Sequence, residues 1–378
     1  MLKVSRTLAL LAIGVGAVLP TLASAQSRNA AGAVFVMTNA ADKNEVIAFE
    51  RNANGTLGDS VSYDTHGRGS GGVTDPLESQ GSLTLSQDHS LLFAVNAGSG
   101  NITIFSVHRS ASLSFLSKTP SGGAQPSAIA QSGGLVYVLN SGGAGSLVGF
   151  HLDNGGELRQ IKNSTAFLTG TTTGGASLAF SPNGQFLVVT ERVANNIDVF
   201  HVQADGTLSP IVVNSNPAPG TFSVAFAPEG VAIVSETGAA GATNGSAISS
   251  YKVNPDGTVT AITHSLSTFA AGNCWNAITP DGRWIYVSNS GSDNISGFNI
   301  GKDGTLTPIG GTVVGNNPSG SHNVDIAVSA DGKFVYTINS QSGNIGVFAI
   351  NQNDGTLTSL GQAGNLPKSA GFNGIAAL

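Results

Sequence analysis

The chain has 378 residues, 51 of them glycine, with only 10% charged residues and a formal net charge of −6. Such sparse charge, with no basic block, excludes a nucleic-acid-binding surface and argues against an anionic membrane surface as partner. Abundant glycine without a sustained 3.6-residue apolar period excludes a helical protein and points to many short strands joined by turns.

Residues 1–25 read as a processing segment. Lys3 and Arg6 supply a basic start, residues 8–18 an apolar centre, and Ala23-Ser24-Ala25 a small-residue cleavage site that predicts a mature start at Gln26. The apolar run is short for a membrane span. The single cysteine, Cys274, cannot form an internal disulfide. An exported protein without disulfides suits a bacterial periplasm or the secreted fraction. The expected address is therefore periplasmic or secreted, with no membrane contact after cleavage.

From residue 26 onward one domain is expected, built from seven copies of a unit spaced roughly 45–57 residues apart. Each copy carries a β-rich run: VFVMTN (34–39), LLFAVN (91–96), LVYVLN (135–140), FLVVTE (186–191), VAIVSE (231–236), WIYVSN (284–289) and FVYTIN (334–339). Each is followed by a second run: EVIAF (45–49), NITIF (101–105), SLVGF (146–150), NIDVF (196–200), AISSY (247–251), NISGF (294–298) and NIGVF (344–348). A tight turn then recurs as NGTL (54–57), GGEL (155–158), DGTL (205–208), DGTV (256–259), DGTL (303–306) and DGTL (354–357), with a weaker Ser110-Ala111-Ser112-Leu113 in the second copy. Asp-Gly and Asn-Gly pairs suit turns that need positive φ.

Four such strands form a small antiparallel sheet that cannot bury both faces alone. The expected fold is therefore all-β: a seven-bladed β-propeller of four-stranded antiparallel blades. The first copy lacks an innermost strand, and the tail GFNGIAAL (371–378) resembles the innermost strands of the others. The tail is expected to complete the first blade and close the ring, removing an exposed edge.

This topology sorts the loops. Short repetitive turns fall at one end of the ring, and long irregular loops at the other, among them 62–81, 169–176, 237–246, 267–276 and 315–324. Recognition sits on variable loops carried by a rigid scaffold. The loop-rich end, around the central channel, is thus expected to receive a small-molecule ligand or a protein partner, with the chain acting as a monomer. Its ionisable residues are Asp42, Lys43, His66, Arg68, Asp75, Glu78, Glu191, Arg192, Glu236, Asp293, His322, Asp325 and Lys368.

Glu191 and Glu236 stand where the other five copies have Asn at the end of the second strand. Two carboxyls on adjacent blades could crowd each other and serve as acid and base, or could simply accept backbone hydrogen bonds. His322, before an innermost strand, is a base candidate because it titrates near neutrality, or else a loop histidine bonded to backbone. Asn39, Asn96, Asn140 and Asn289, with Trp275, are expected to line the same mouth as ligand contacts. His66 and Arg68 lie in a glycine-rich loop that reads as flexible. Cys274 has no evident base beside it. No zinc spacing, nucleophile elbow or phosphate loop occurs, so neither metal nor cofactor is expected.

The repeat AFSPNGQFLVVTERVANNIDVFHVQADGTL (179–208), with AITPDGRWIYVSNSGSDNISGF and AVSADGKFVYTINSQSGNIGVF, resembles the seven-bladed propeller lactonase family, which includes bacterial 6-phosphogluconolactonase and the carboxymuconate cyclases. The resemblance covers residues 33–378. It implies a lactone-hydrolysing or lactone-forming site in which Glu191 matches a family glutamate. Elsewhere this chain departs from the family: Gly174-Gly175-Ala176-Ser177 replaces an Arg- and His-bearing string, Gln125-Pro126-Ser127 a histidine, and Asn289-Ser290-Gly291 an Asn-Arg-Gly. Two functions remain open: a lactonase-like hydrolase using Glu191 with Glu236 or His322, and a non-catalytic propeller that binds a ligand or protein.

Overall fold

Period-2 apolar runs closed by glycine turns fold here as seven antiparallel sheets, and among the described residues there is no helix. The computed structural model describes residues 31–108 and 111–378. Residues 1–25, expected from the sequence to be a processing segment, lie outside them. No described helix is long and apolar enough to cross a membrane.

The second strands of blades 2–7 match the sequence expectation residue for residue: Leu91–Asn96, Leu135–Asn140, Phe186–Glu191, Val231–Glu236, Trp284–Asn289 and Phe334–Asn339. In blade 1 the strand is Gly32–Met37, two residues earlier than expected, because Asn39 turns to positive φ (50°) and takes the chain out of the sheet. Blade 3 also departs from four strands. Its outer edge is split into Leu158–Gln160 and Ala166–Phe167, both paired to Ser146–Leu152.

The seven innermost strands, Leu83–Leu85, Pro126–Ser132, Gly175–Phe180, Thr221–Phe226, Asn273–Ile278, Asn323–Val328 and Ile375–Ala377, contact one another in succession and close into a ring. Closure comes from the chain end, as the tail suggested. Ile375, Ala376 and Ala377 pair antiparallel with Val36, Phe35 and Val34. The Arg51 Nε also donates to the Leu378 carbonyl at 3.1 Å. No blade is left with a bare inner edge to template aggregation.

Second strands are buried on both faces, since each blade packs against its neighbours. The recurring turn glycine explains how blades lock together. Each turn-glycine carbonyl is held by a side chain of the preceding blade: Gly156 by Ser117 Oγ, Gly206 by Tyr137 Oη, Gly257 by Asn214 Nδ2, Gly304 by Ser250 Oγ, Gly355 by Tyr286 Oη and Gly55 by Tyr336 Oη. The last of these crosses from blade 7 to blade 1. Glycine is needed because φ is near +80° at these turns, a conformation that costs a side chain strain. Each bond contributes ~1 kcal/mol and fixes blade spacing.

Candidate functional site

The innermost strands begin at the loop-rich end, opposite the ends of the second strands: Gly175 pairs with Glu191, Thr221 with Glu236, Asn273 with Asn289 and Asn323 with Asn339. Near that end the register slips in blades 3 to 7. The extra residues are Ser127, Ala176, the Phe222-Ser223 pair, Cys274 and Asp325. A bulge re-aims the residue it frees from the ladder.

Onto this ring of bulges the connection between blades 1 and 2 folds as a plug. Ser79 Oγ donates to the Ser127 carbonyl (2.8 Å), Gln80 N to the Ala176 carbonyl (2.9 Å), and Trp275 Nε1 to the Ser79 carbonyl (3.0 Å). Gln80 Nε2 donates to the Asn276 carbonyl at 2.7 Å, and Asn276 N returns a bond to Gln80 Oε1. Gly371 N donates to the Val73 carbonyl, and Leu77 is buried. The segment thus bonds to blades 3, 4 and 6 and to the closing tail.

The plug carries two acids in left-handed backbone, Asp75 (φ 42°) and Glu78 (φ 46°); His322 (45°) and Asp325 (63°) share that conformation on blade 7. Such strain persists only where surrounding structure enforces it, and it concentrates at functional sites. Asn373 Nδ2 of the tail donates to Asp75 Oδ1 at 2.8 Å. Loss of hydration, opposed by that bond, pushes the Asp75 carboxyl up to about 8. Asp325 accepts from Ile326 N (2.9 Å) and Ile375 N (3.1 Å), and burial still raises it to about 7. Glu78 is ion-paired with Arg192 of blade 4. Burial, then the Asp75 charge, pushes the Cys274 thiol well above its ordinary value, so it is no thiolate nucleophile. Beside Arg192 opens a hollow of about 450 Å³, lined by Val193, Asn195, Pro219, Gly220 and residues 237–240.

The residues singled out in the sequence lie around this mouth but do not meet in it. Glu191 is fully buried in blade 4. Its Oε1 accepts from Thr169 N and Thr173 Oγ1 (both 2.8 Å), and its Oε2 from Thr169 Oγ1 and Asn196 Nδ2. Glu236, also fully buried, accepts from Asn216 Nδ2 (3.1 Å) and Ser249 Oγ (2.6 Å), and burial raises its carboxyl. Among the described residues no hydrogen bond or ion pair joins Glu191, Glu236 and His322. The half-buried His322 has its backbone N bound to Asp293 Oδ1.

The strand-end asparagines likewise serve the scaffold. Asn39 bonds Ser70, Gly71 and Gly371, while Asn96 bonds Asn44, Thr65, Asn101 and Thr103. Asn289 bonds Asn294 and Ser296, and Asn140 bonds the Ser121 carbonyl. Trp275 is buried against Phe222 and, through Ser79, supports the plug. Asp75, Glu78, Arg192 and Asp325 were visible as loop-end charges, but nothing local marked them. For Asp75 and Glu78 the signal was the unusual length of the 62–81 loop.

Among the described residues no group of three or more His, Cys, Asp or Glu could hold a metal ion. No curated protein sequence matches the chain. Solved structures of the same architecture do. The periplasmic gluconolactonase PpgL of Pseudomonas aeruginosa is 20% identical, with 92% of this chain and 99% of that one aligned at a TM-score of 0.69. A candidate 6-phosphogluconolactonase of Bacteroides uniformis is 20% identical over 92% and 99%, at 0.67. Apo AztD of Citrobacter koseri is 11% identical over 92% and 98%, at 0.56. At these identities the likeness is one of fold. The sequence profile described as "Lactonase, 7-bladed beta-propeller" matches residues 42–164, 144–274 and 260–371. With nearly the whole ring so matched, the chain belongs to the seven-bladed β-propeller lactonase family.

Proposed function

We propose that the protein is an exported hydrolase that opens a small uncharged lactone at the loop-rich mouth, with Asp75 as its acid–base group. The observation carrying this reading is the Asp75 carboxyl itself. It sits in enforced left-handed backbone, is oriented by Asn373 and is raised to about 8, near working pH. As carboxylate, Asp75 takes a proton from water while the water oxygen bonds to the lactone carbonyl carbon. The Arg192 guanidinium faces the developing oxyanion. The ring C–O bond then breaks, and Asp75 returns its proton to the leaving alkoxide, yielding the hydroxy acid.

Charge at the mouth supports an uncharged substrate. The charge of Arg192 is offset by Glu78 for a substrate that arrives as an anion, while its guanidinium can still donate to an oxyanion that develops only during the reaction. PpgL, named a periplasmic gluconolactonase, is consistent with such a substrate and, with the basic-apolar start of the chain, with a periplasmic or secreted address. Titrating acid release from a panel of neutral and phosphorylated lactones tests the proposal. Neutral lactones should be hydrolysed, and Asp75→Asn should lose roughly 10²–10⁴-fold in rate while remaining folded. Full activity in that variant, or no hydrolysis by the wild type, overturns it.

Exposed apolar residues near the mouth favour a second reading. Val73, Val193 and Phe269 are each about 60% exposed on the loop-rich end, as a non-catalytic docking face for a protein partner would require. In that case Val193→Asp weakens capture of the partner while the lactone panel stays silent.

A further inference from the structure

Blade 4 breaks a pattern that blades 2, 5 and 6 keep. In blade 2 the strand-end Asn96 donates from Nδ2 to Thr103 Oγ1 on the third strand (3.0 Å), and in blade 6 Asn289 donates likewise to Ser296 Oγ (2.9 Å). In blade 5 the strand-end residue is Glu236, which cannot donate. There the third-strand Ser249 hydroxyl turns and donates to it at 2.6 Å. Blade 4 has Glu191 at the strand end and Asp198, not a hydroxyl, on the third strand. The pairing Glu191↔Asn196 and Val189↔Asp198 places both carboxyls on one face as diagonal neighbours. Asp198 is fully buried, and neither of its oxygens has a hydrogen-bond partner, whereas Glu191 already receives four donors.

Two buried carboxylates side by side, with no cation near, cannot both be ionised. We infer that Glu191 and Asp198 share one proton, carried on Asp198 and donated to Glu191, and that this proton locks the 169–173 connection in place. Because Glu191 has donors on both oxygens and Asp198 has none, the carboxylate belongs on Glu191 and the acid on Asp198. Burial, then the Glu191 charge, holds the Asp198 carboxyl up at about 8, in keeping with this assignment. Glu191 is the sole charged group acting on Asp198. The connection 169–173, the inner strand Gly175–Phe180 and the outer strand Val212–Ser215 contain no titratable side chain.

The lock reaches the mouth. Glu191 holds Thr169 and Thr173. The Thr173 carbonyl accepts from Val193 N (2.8 Å) and Ala194 N (3.1 Å), and the Gly174 carbonyl from Arg192 N (2.7 Å). Deprotonating Asp198 sets two buried anions against each other, drives Glu191 off its threonines and frees the backbone that presents Arg192. The inference does not depend on what the mouth binds.

Asp198→Ser rebuilds the Glu–Ser pair of blade 5, and Asp198→Asn supplies an amide donor; neither needs the proton. Melting temperature and hydrogen exchange at residues 169–174, measured from about pH 5 to about pH 9, test the lock. The wild type should lose more melting temperature over that range than either variant, by a few degrees, and its 169–174 amides should exchange faster at the alkaline end. The infrared difference spectrum of wild type minus Asp198→Asn, or minus Asp198→Ser, should show a protonated-carboxyl band at neutral pH that disappears above the Asp198 titration, which separates it from the acids at Asp75, Asp325 and Glu236. Either variant suffices for the difference, so this readout stands if the other fails to fold. Equal pH slopes in wild type and foldable variants, or the absence of that band, overturn the inference. So does a rise in alkaline melting temperature on adding calcium in the wild type alone, which would put a cation where the proton is placed.

Discussion

Asn373, in the segment that closes the ring, donates its amide to the Asp75 carboxylate on the plug at 2.8 Å, so ring closure and the acid at the mouth are one structural event. That bond favours the ionised form and opposes the burial that raises Asp75. In Asn373→Ala the Asp75 carboxyl should titrate at higher pH than in the wild type. A pH–rate profile of lactone hydrolysis should then show its rising limb displaced upward, with a maximal rate closer to the wild type than that of Asp75→Asn. An unmoved inflection would separate Asp75 from the rate-determining proton transfer.

Deleting residues 375–378 removes the three-residue ladder to Val34–Val36 and the Leu378 carbonyl that Arg51 holds. The exposed second strand of blade 1 is apolar and long enough to pair with another chain. The truncated protein is expected to melt well below the full chain and to form oligomers on size-exclusion chromatography. A monomeric truncation with the wild-type melting temperature would contradict this.

Glu191 is tied to four donors within its own blade and the connection before it, so Glu191→Gln turns an amide N–H₂ toward groups that also donate. A buried donor left facing another donor costs about 1–3 kcal/mol. Urea unfolding should report a loss of that order. Activity per folded molecule should fall far less than in Asp75→Asn. A variant that is stable yet inactive would return the chemistry to Glu191.

Stability should peak at mildly acidic pH. Asp75 and Asp198, near 8, and Asp325, near 7, all lie above the ordinary value of 3.8. A carboxyl raised on folding contributes stability that is complete below its unfolded pKa and is lost as pH rises through its folded one. The loss therefore spans about pH 4 to about pH 8. The turn residues Asp205, Asp256, Asp303 and Asp354 are lowered by side-chain or backbone hydrogen bonds from the threonine two residues on. Their contribution runs the other way, present above the unfolded pKa and lost in acid. Thermal unfolding across pH should trace a maximum at about pH 4–5, with an alkaline limb that flattens in the triple variant of Asp75, Asp198 and Asp325 to Asn. A maximum above neutrality would refute the assignment of these three groups.

Much of this molecule is written in short stretches of chain. The period-2 runs ending in Asn or Glu, the Asp-Gly turns and the tail that mimics an inner strand determine seven sheets and their closure, because each depends on neighbours a few residues apart. The substitution of acids at 191 and 198 is visible in the same way, as two letters seven apart that differ from their counterparts. What those acids do was decided in three dimensions. Glu191 and Glu236 turn into their own blades, since a strand buried on both faces leaves each carboxyl no solvent and offers it hydroxyl and amide donors instead. The mouth was likewise unreadable from local pattern. Asp75 and Glu78 come from a loop, Arg192 from blade 4, Cys274 and Asp325 from bulges in blades 6 and 7, and Asn373 from the tail. Only closure of the ring brings segments so distant in sequence together, and only the packing of the plug against the inner strands enforces the left-handed backbone and the dehydration that set Asp75 apart from the other acids.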